Sequence, residues 1–250
     1  MKDSRFTTTV RASSGQCEPT EVQVDDRAAT RSAILNFIKK QQVHVVESSE
    51  WGAKPPQKVN KEWMYKSIAL HHAGNSFACN TDARELLKKV EEIDRKTFHQ
   101  LTYHYAIACD GTVYELLDIR WKGSHIDNGN TKVIGIVMLE DLSHSGEAYV
   151  QEYKNKSFRQ KIRNLKGLIF DQFDTSYDTV SQPQEKALTA LLSALTKYFA
   201  IDILGGHREF QVLANKEGRA CPGAEGMKLV KNMRKTFSFV APSKSNYPHK

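Results

Sequence analysis

Apolar positions recur along this chain at two spacings, one helical and one alternating or continuous, and the switches between them mark out the elements. Residues 31–42 set Ile34, Leu35 and Ile38 on one helical face, and Val43-His44-Val45-Val46 then reads as a short strand. Trp51-Gly52-Ala53-Lys54-Pro55-Pro56 interrupts regular structure, since glycine and proline suit neither period. Ser67-Ile68-Ala69-Leu70-His71-His72 reads as a buried strand, and Asn80-Thr81-Asp82 as the cap of a helix running to about residue 96. Segments 103–109 and 112–116 flank Asp110-Gly111, a strong hairpin signal, and 133–139 is a continuous apolar strand of the kind covered on both faces of a sheet. A long helix over 184–199, a strand over 201–204 and a closing helix over 224–236 follow.

Three regions stand outside this pattern. Residues 1–30 are rich in Thr, Ser, Arg and Asp and hold too few large apolar side chains to offset the entropy of ordering, so they form a mobile or adherent arm. Residues 140–180 interleave charges with Tyr153, Phe158, Ile162, Leu165 and Phe170 and read as an inserted, partly helical element. Residues 241–250 are rich in Pro, Ser and Lys and read as a frayed tail. The expected layout is an N-terminal arm over 1–45, partly disordered, one domain over 46–240 carrying the insertion, and a flexible tail over 241–250.

Composition narrows the classes. A chain of 250 residues with 40% hydrophobic and 26% charged positions can bury one sizeable core, and none of its apolar runs approaches the ~20 residues that span a bilayer. The start, Met1-Lys2-Asp3-Ser4-Arg5-Phe6-Thr7-Thr8-Thr9-Val10, lacks the apolar core of a signal peptide, so synthesis in the cytoplasm is expected. Net charge of +7 favours polyanions such as acidic wall polymer or anionic lipid. No basic stripe interleaved with aromatics is present, which argues against nucleic acid. The four cysteines, Cys17, Cys79, Cys109 and Cys221, are too scattered for a disulfide framework, and a reducing compartment of synthesis is the simplest reading.

Chemistry concentrates in Gly205-Gly206-His207-Arg208-Glu209, in Arg219-Ala220-Cys221-Pro222-Gly223, and in the His71-His72 pair that closes a strand far upstream. Imidazole and thiolate are zinc ligands, and three of them leave a fourth position open, which marks a catalytic site. His71 and His72 cannot both face one metal, because successive strand side chains point to opposite faces.

With Glu50-Trp51-Gly52-Ala53, Leu70-His71-His72, Tyr103-His104-Tyr105 before Asp110-Gly111, Gly123-Ser124-His125, and Gly206-His207-Arg208-Glu209 before Ala220-Cys221-Pro222, the chain resembles the zinc-dependent N-acetylmuramoyl-L-alanine amidases of the peptidoglycan recognition protein and phage lysozyme-amidase superfamily. The resemblance covers 51–237 with a gap at the insertion. It implies an α/β fold with a central mixed sheet flanked by helices, Zn2+ held by His71, His207 and Cys221, and cleavage of the amide between the muramyl lactyl group and L-alanine. The implied setting is an antibacterial effector or phage-type endolysin reaching the wall after secretion or lysis. A monomer with peptidoglycan as substrate and an immunity or delivery protein as partner is expected. A muropeptide-binding module without hydrolysis is the alternative.

By the same resemblance Tyr103 is a catalytic residue that orients water or hydrogen-bonds the developing oxyanion. Arg219, where phage amidases carry lysine, is a second, limited to electrostatics because guanidinium holds its proton tightly. Val137 occupies a strand position at which recycling amidases place a glutamate base, which leaves Tyr103 as the leading group beside the metal. His125 and Trp51 are candidate substrate contacts, Trp51 also a packing anchor. Glu209 reads as a partner for His207 or as an ordinary ion pair. Cys79 lies where animal recognition proteins carry a disulfide, but their partner spacing is absent and no such bond is expected.

Overall fold

Two faces of a single sheet organise the chain in the computed structural model, which describes residues 7–10, 20–23, 26–57, 59–74, 77, 79–147, 149–153 and 178–248. The elements run β1 (Thr7–Val10), β2 (Thr20–Gln23), α1 (Asp26–Lys40), β3 (Val45–Val46), β4 (Ser67–His72), α2 (Ala83–Phe98), β5 (Tyr105–Ile107), β6 (Val113–Glu115), β7 (Val133–Met138), α3 (Gln182–Tyr198), β8 (Ile203–Gly206), α4 (His207–Asn215) and α5 (Gly223–Phe237). Strands β1 and β2 pair antiparallel as a separate ribbon. The main sheet has the order β3-β6-β5-β7-β4-β8. Only β5 and β6 pair antiparallel within it, so the sheet is mixed and helix-flanked, as expected.

Strand alternation divides the core. Ile68 and Leu70 of β4 and Ile134 and Ile136 of β7 face α1, α3 and α5, where Leu35, Leu191 and Val230 close over them. On the other face, Ala106, Tyr114 and Val137 lie under Leu86, Leu87 and Val90 of α2. Beside them Ala69, Val133 and Ile203 lie under Phe210 of α4. His71 is on this second face, in the gap between α2 and α4, in register with Val137.

Several boundaries differ from the expected ones. Helix α1 starts at Asp26 and belongs to the core, with Ile34, Leu35 and Ile38 at 0–1% exposure, each contributing about 2 kcal/mol by burial. Arg31 fixes it further, donating to the carboxylates of Glu47 and buried Glu115. The arm expected over 1–45 therefore ends before this helix, whose three anchors are the ones that the helical spacing over 31–42 sets on one face. The tail is tied down as well. Tyr247 is 1% exposed, packs edge-on against Phe210 at 4.8 Å and donates its hydroxyl to the Gly129 carbonyl at 2.7 Å. Composition reads ten residues at once and does not register one buried aromatic.

The hairpin forms where Asp110-Gly111 predicts it. Asp110 accepts from the backbone and hydroxyl of Thr112, and Gly111 has φ +83° with the Pro183 carbonyl oxygen 2.6 Å from where a Cβ would stand. Asp82 caps α2 through the amides of Arg84 and Glu85, and His99 ends it in the left-handed conformation. Of the insertion, the described part includes a π-helical turn, Tyr149–Tyr153. The helical spacing of Phe158, Ile162, Leu165 and Phe170 lies outside the described residues. None of the helices among the described residues is long and apolar enough to cross a membrane.

Contrary to expectation, Cys79 and Cys109 are joined as a disulfide, with Cα atoms 5.5 Å apart. The partner is 30 positions away, at the end of β5, and only the sheet order brings it beside the loop that leaves β4. Local spacing could not reveal it.

Candidate metal centre

Strand β4 ends at the two histidines and sends them apart. His71 is fully buried on the α2 and α4 face, and its Nδ1 lies 3.6 Å from Cys221 Sγ. His72 turns away, accepting the Leu142 amide at its Nδ1, while its own backbone N–H donates to Cys221 Sγ at 3.4 Å. Strand β8 delivers the third group: His207 is the first residue of α4, directly after Gly206, and its ring lies 4.4 Å from that of His71. The donor atoms of His71, His207 and Cys221 all lie within 4.8 Å of one another.

Each of the two imidazoles has a hydrogen-bond partner behind it. Gln211, one turn along α4 and 1% exposed, has both ends of its amide fixed by Asp127. Its Nε2 donates to the Asp127 carbonyl at 3.2 Å and its Oε1 accepts the Asp127 amide at 3.1 Å. That Oε1 also stands 3.0 Å from His207 Nε2, which must therefore be the protonated nitrogen, leaving Nδ1 as the lone-pair donor. Behind His71, Nε2 faces His125 Nδ1 at 3.0 Å, and Nδ1 is the atom turned to the cluster.

Burial dominates the electrostatics. It drives the His71 imidazole well below its usual range, with His207, His125 and His72 adding to the effect, and it brings His207 down to about 4. Both rings are neutral at neutral pH, the form that binds a metal. Burial also pushes the Cys221 thiol up to about 12, opposed by the His72 amide and by Arg208 and Arg219. A half-buried thiol beside two neutral imidazoles, with a backbone donor and two arginines favouring its anion, fits Zn2+. Arg208 further joins the ligand segments: its N–H donates to the Cys221 carbonyl at 2.9 Å and its guanidinium donates to the Ala220 carbonyl and Glu147.

The other candidates divide. Tyr103 is half-buried, its ring 4.9 Å from that of His71, and burial raises its phenol so that it stays protonated. Thr102 before it is held through both backbone N–H and hydroxyl by Asp94 of α2. Arg219 pairs with Glu217 at 3.1 Å on the rim, near enough to lower the His207 pKa. Val137 pairs with His71, so no carboxylate occupies that position.

His125 and Trp51 are both buried. His125 is 7% exposed, and Gly135 of β7 makes room for it, since a Cβ there would lie 2.6 Å from the ring. Its contact with His71 makes it a support for that ring. Trp51 is 4% exposed beneath α2, with its indole N–H donated to the Glu115 carbonyl at 2.8 Å, and it is the packing anchor. Glu209 accepts the Gly206 amide and pairs with Arg234, so it caps α4 and does not orient His207. Gln211 does that, and its spacing of one helical turn from His207 was the available signal. From the insertion, Glu147 accepts the Ala224 amide and Glu152 the Ala220 amide, bracing the Cys221 loop on both sides.

The model of the N-acetylmuramoyl-L-alanine amidase family matches residues 62–224, and the chain belongs to this family. Peptidoglycan-recognition protein SC2 of Drosophila simulans is 32% identical over 134 residues, 52% of this chain and 67% of that protein. Human peptidoglycan recognition protein 3 is 28% identical over 100 residues, 38% of this chain but only 29% of that longer protein, so the chain spans less than a third of it. Among solved structures, a Drosophila PGRP-LB variant in complex with tracheal cytotoxin superposes with TM-score 0.54 at 18% identity, covering 78% of this chain and 96% of that one. An N-acetylmuramoyl-L-alanine amidase endolysin from Clostridium intestinale gives TM-score 0.54 at 17% identity, again covering 78% and 96%. These two establish the shared fold.

Proposed function

We propose that the chain is a zinc-dependent N-acetylmuramoyl-L-alanine amidase that hydrolyses the amide joining N-acetylmuramic acid to the L-alanine of the stem peptide. The observation that carries this reading is the convergence of His71, His207 and Cys221, with both imidazoles neutral and His207 held as an Nδ1 donor, beside the protonated phenol of Tyr103. Zinc, when bound there, supplies a Lewis acid and an activated water at neutral pH. Tyr103 contributes a hydrogen-bond donor that persists at any physiological pH, suited to the oxyanion that forms as the amide carbonyl is attacked. Arg219 adds positive charge at the rim and keeps its own proton. The basic chain as a whole, at +7, favours accumulation on anionic wall polymer, and we place its action at the wall, as an effector or endolysin.

The test is incubation of the purified chain with peptidoglycan sacculi, with zinc and with chelator. Stem peptides bearing a free L-alanine amino end should appear with zinc and vanish with chelator. Intact sacculi with zinc present, together with measurable muropeptide binding, would replace hydrolysis by recognition, the role named in several relatives.

A further inference from the structure

Away from the metal centre, one buried acid has no part in the chemistry above. Glu140 follows β7, is fully buried, and contacts none of the cationic side chains among the described residues. Its Oε1 accepts from Gln184 Nε2 at 2.8 Å, and its Oε2 stands 3.4 Å from Cys79 Sγ and 3.8 Å from Cys109 Sγ. Gln184 is held in turn by Ser181, whose amide it accepts and whose hydroxyl donates to the Cys109 carbonyl at 2.8 Å. The free oxygen of the carboxyl is thus aimed at the disulfide by a fixed frame. Burial, with the charges of Asp141 and Asp178, brings Glu140 up to about 7, so it holds a proton for much of the neutral range. The two sulfurs differ in access: Cys79 is exposed and Cys109 half-buried.

We propose that Cys79–Cys109 is a thiol–disulfide exchange site for external dithiols, in which Cys79 is the sulfur attacked and the Glu140 carboxyl is the proton donor to the departing Cys109. A thiolate of the dithiol attacks Cys79 Sγ in line with the S–S bond. The new bond joins that sulfur to Cys79, the old bond breaks, and its electron pair leaves on Cys109 Sγ, which takes the proton of Glu140. The second thiol of the dithiol then closes on its own mixed-disulfide sulfur and releases Cys79. Its proton restores the acid, directly or through solvent, and Cys79 takes from solvent the proton released when the attacking thiolate formed. The dithiol ends as a disulfide, the chain gains two thiols, and electrons and protons balance. Oxidation retraces the steps, with the Glu140 carboxylate accepting the Cys109 proton. In the oxidised form the loop leaving β4 is bonded to the end of β5, and in the reduced form that bond is absent.

Two measurements on the full oxidised chain test this. Treatment with glutathione followed by peptide mapping should give an adduct on Cys79 with Cys109 free; an adduct on Cys109 overturns the assignment. With dithiothreitol, the rate constant per thiolate should fall about 10-fold between pH 6 and pH 8, tracking loss of the acid's proton, and should be flat for Glu140→Gln. Matching profiles for the two proteins overturn the role of Glu140. Glutathione mapping needs only the unaltered chain and stands whether or not the variant folds. Uptake of an additional zinc on reduction would also overturn the proposal, because both sulfurs and the carboxylate would then be metal ligands. The amidase reading is untouched by any of these results.

Discussion

Gln211 and His125 stand behind two different ligands: each occupies the back nitrogen of an imidazole whose front nitrogen faces the cluster. Losing such a partner typically costs about 10- to 100-fold in metal affinity. Gln211→Leu should therefore weaken zinc binding by that factor in a chelator competition, while Gln211→Glu, which keeps the acceptor, should lose less. Equal affinities for Leu and the unaltered chain would show that the helix holds His207 without it. Tyr103→Phe separates chemistry from metal binding. Turnover on a muramyl peptide should drop by about 100-fold or more with zinc content unchanged, the scale seen when an oxyanion donor is removed. Near-normal turnover would retire the tyrosine. His71, His207, Cys221 and Tyr103 were legible in the sequence because residue type and order carry them. Gln211 and the His72 amide were not, because an uncharged side chain and a backbone N–H leave no compositional trace. His125 was visible as a residue but not in its orientation, which depends on the space left by Gly135 on a different element.

Among the elements, α2 reaches the site indirectly. Its buried Asp94 holds Thr102 by two hydrogen bonds and so fixes the backbone that presents Tyr103. Burial brings Asp94 up to about 6 from an ordinary 3.8. A carboxyl whose folded pKa is raised stabilises most when protonated, below about pH 4, and that contribution is lost as pH rises through 6. The unaltered chain should thus lose about 2 to 3 kcal/mol through this group between pH 4 and pH 7. Subtracting the urea-unfolding profile of Asp94→Asn isolates it, since Glu140 titrates over a similar window in both proteins. A difference that stays constant across the window would exclude this linkage. Most elements could be read from the sequence: β4, the hairpin, β7, α3 and α5 all lie where their spacing places them. Their termini moved by a few residues because caps such as Asp82 and Ser181 act through geometry that periodicity does not resolve.

For the whole molecule, described residues outside 46–240 also pack on the core. The C-terminal segment is the direct case: Tyr247→Ala removes a buried ring and its hydrogen bond to Gly129, and should lower unfolding free energy by about 3 kcal/mol. A loss under about 1 kcal/mol would mean the tail is held mainly by Val240, which bridges to Ile203 at the edge of the sheet. Long-range arrangement also explains the disulfide and the Arg31 anchor, neither of which any local window contains. The same arrangement places His71 and Cys221, 150 positions apart in the chain, on a single centre. An ion held by both would close most of the domain into one ring. A covalent cross-link around a loop on the order of 100 residues removes about 4.7 kcal/mol of unfolded-chain entropy. The metal would then be a fastener as much as a reagent, and a chain cut in the insertion could stay together for as long as the ion stays bound.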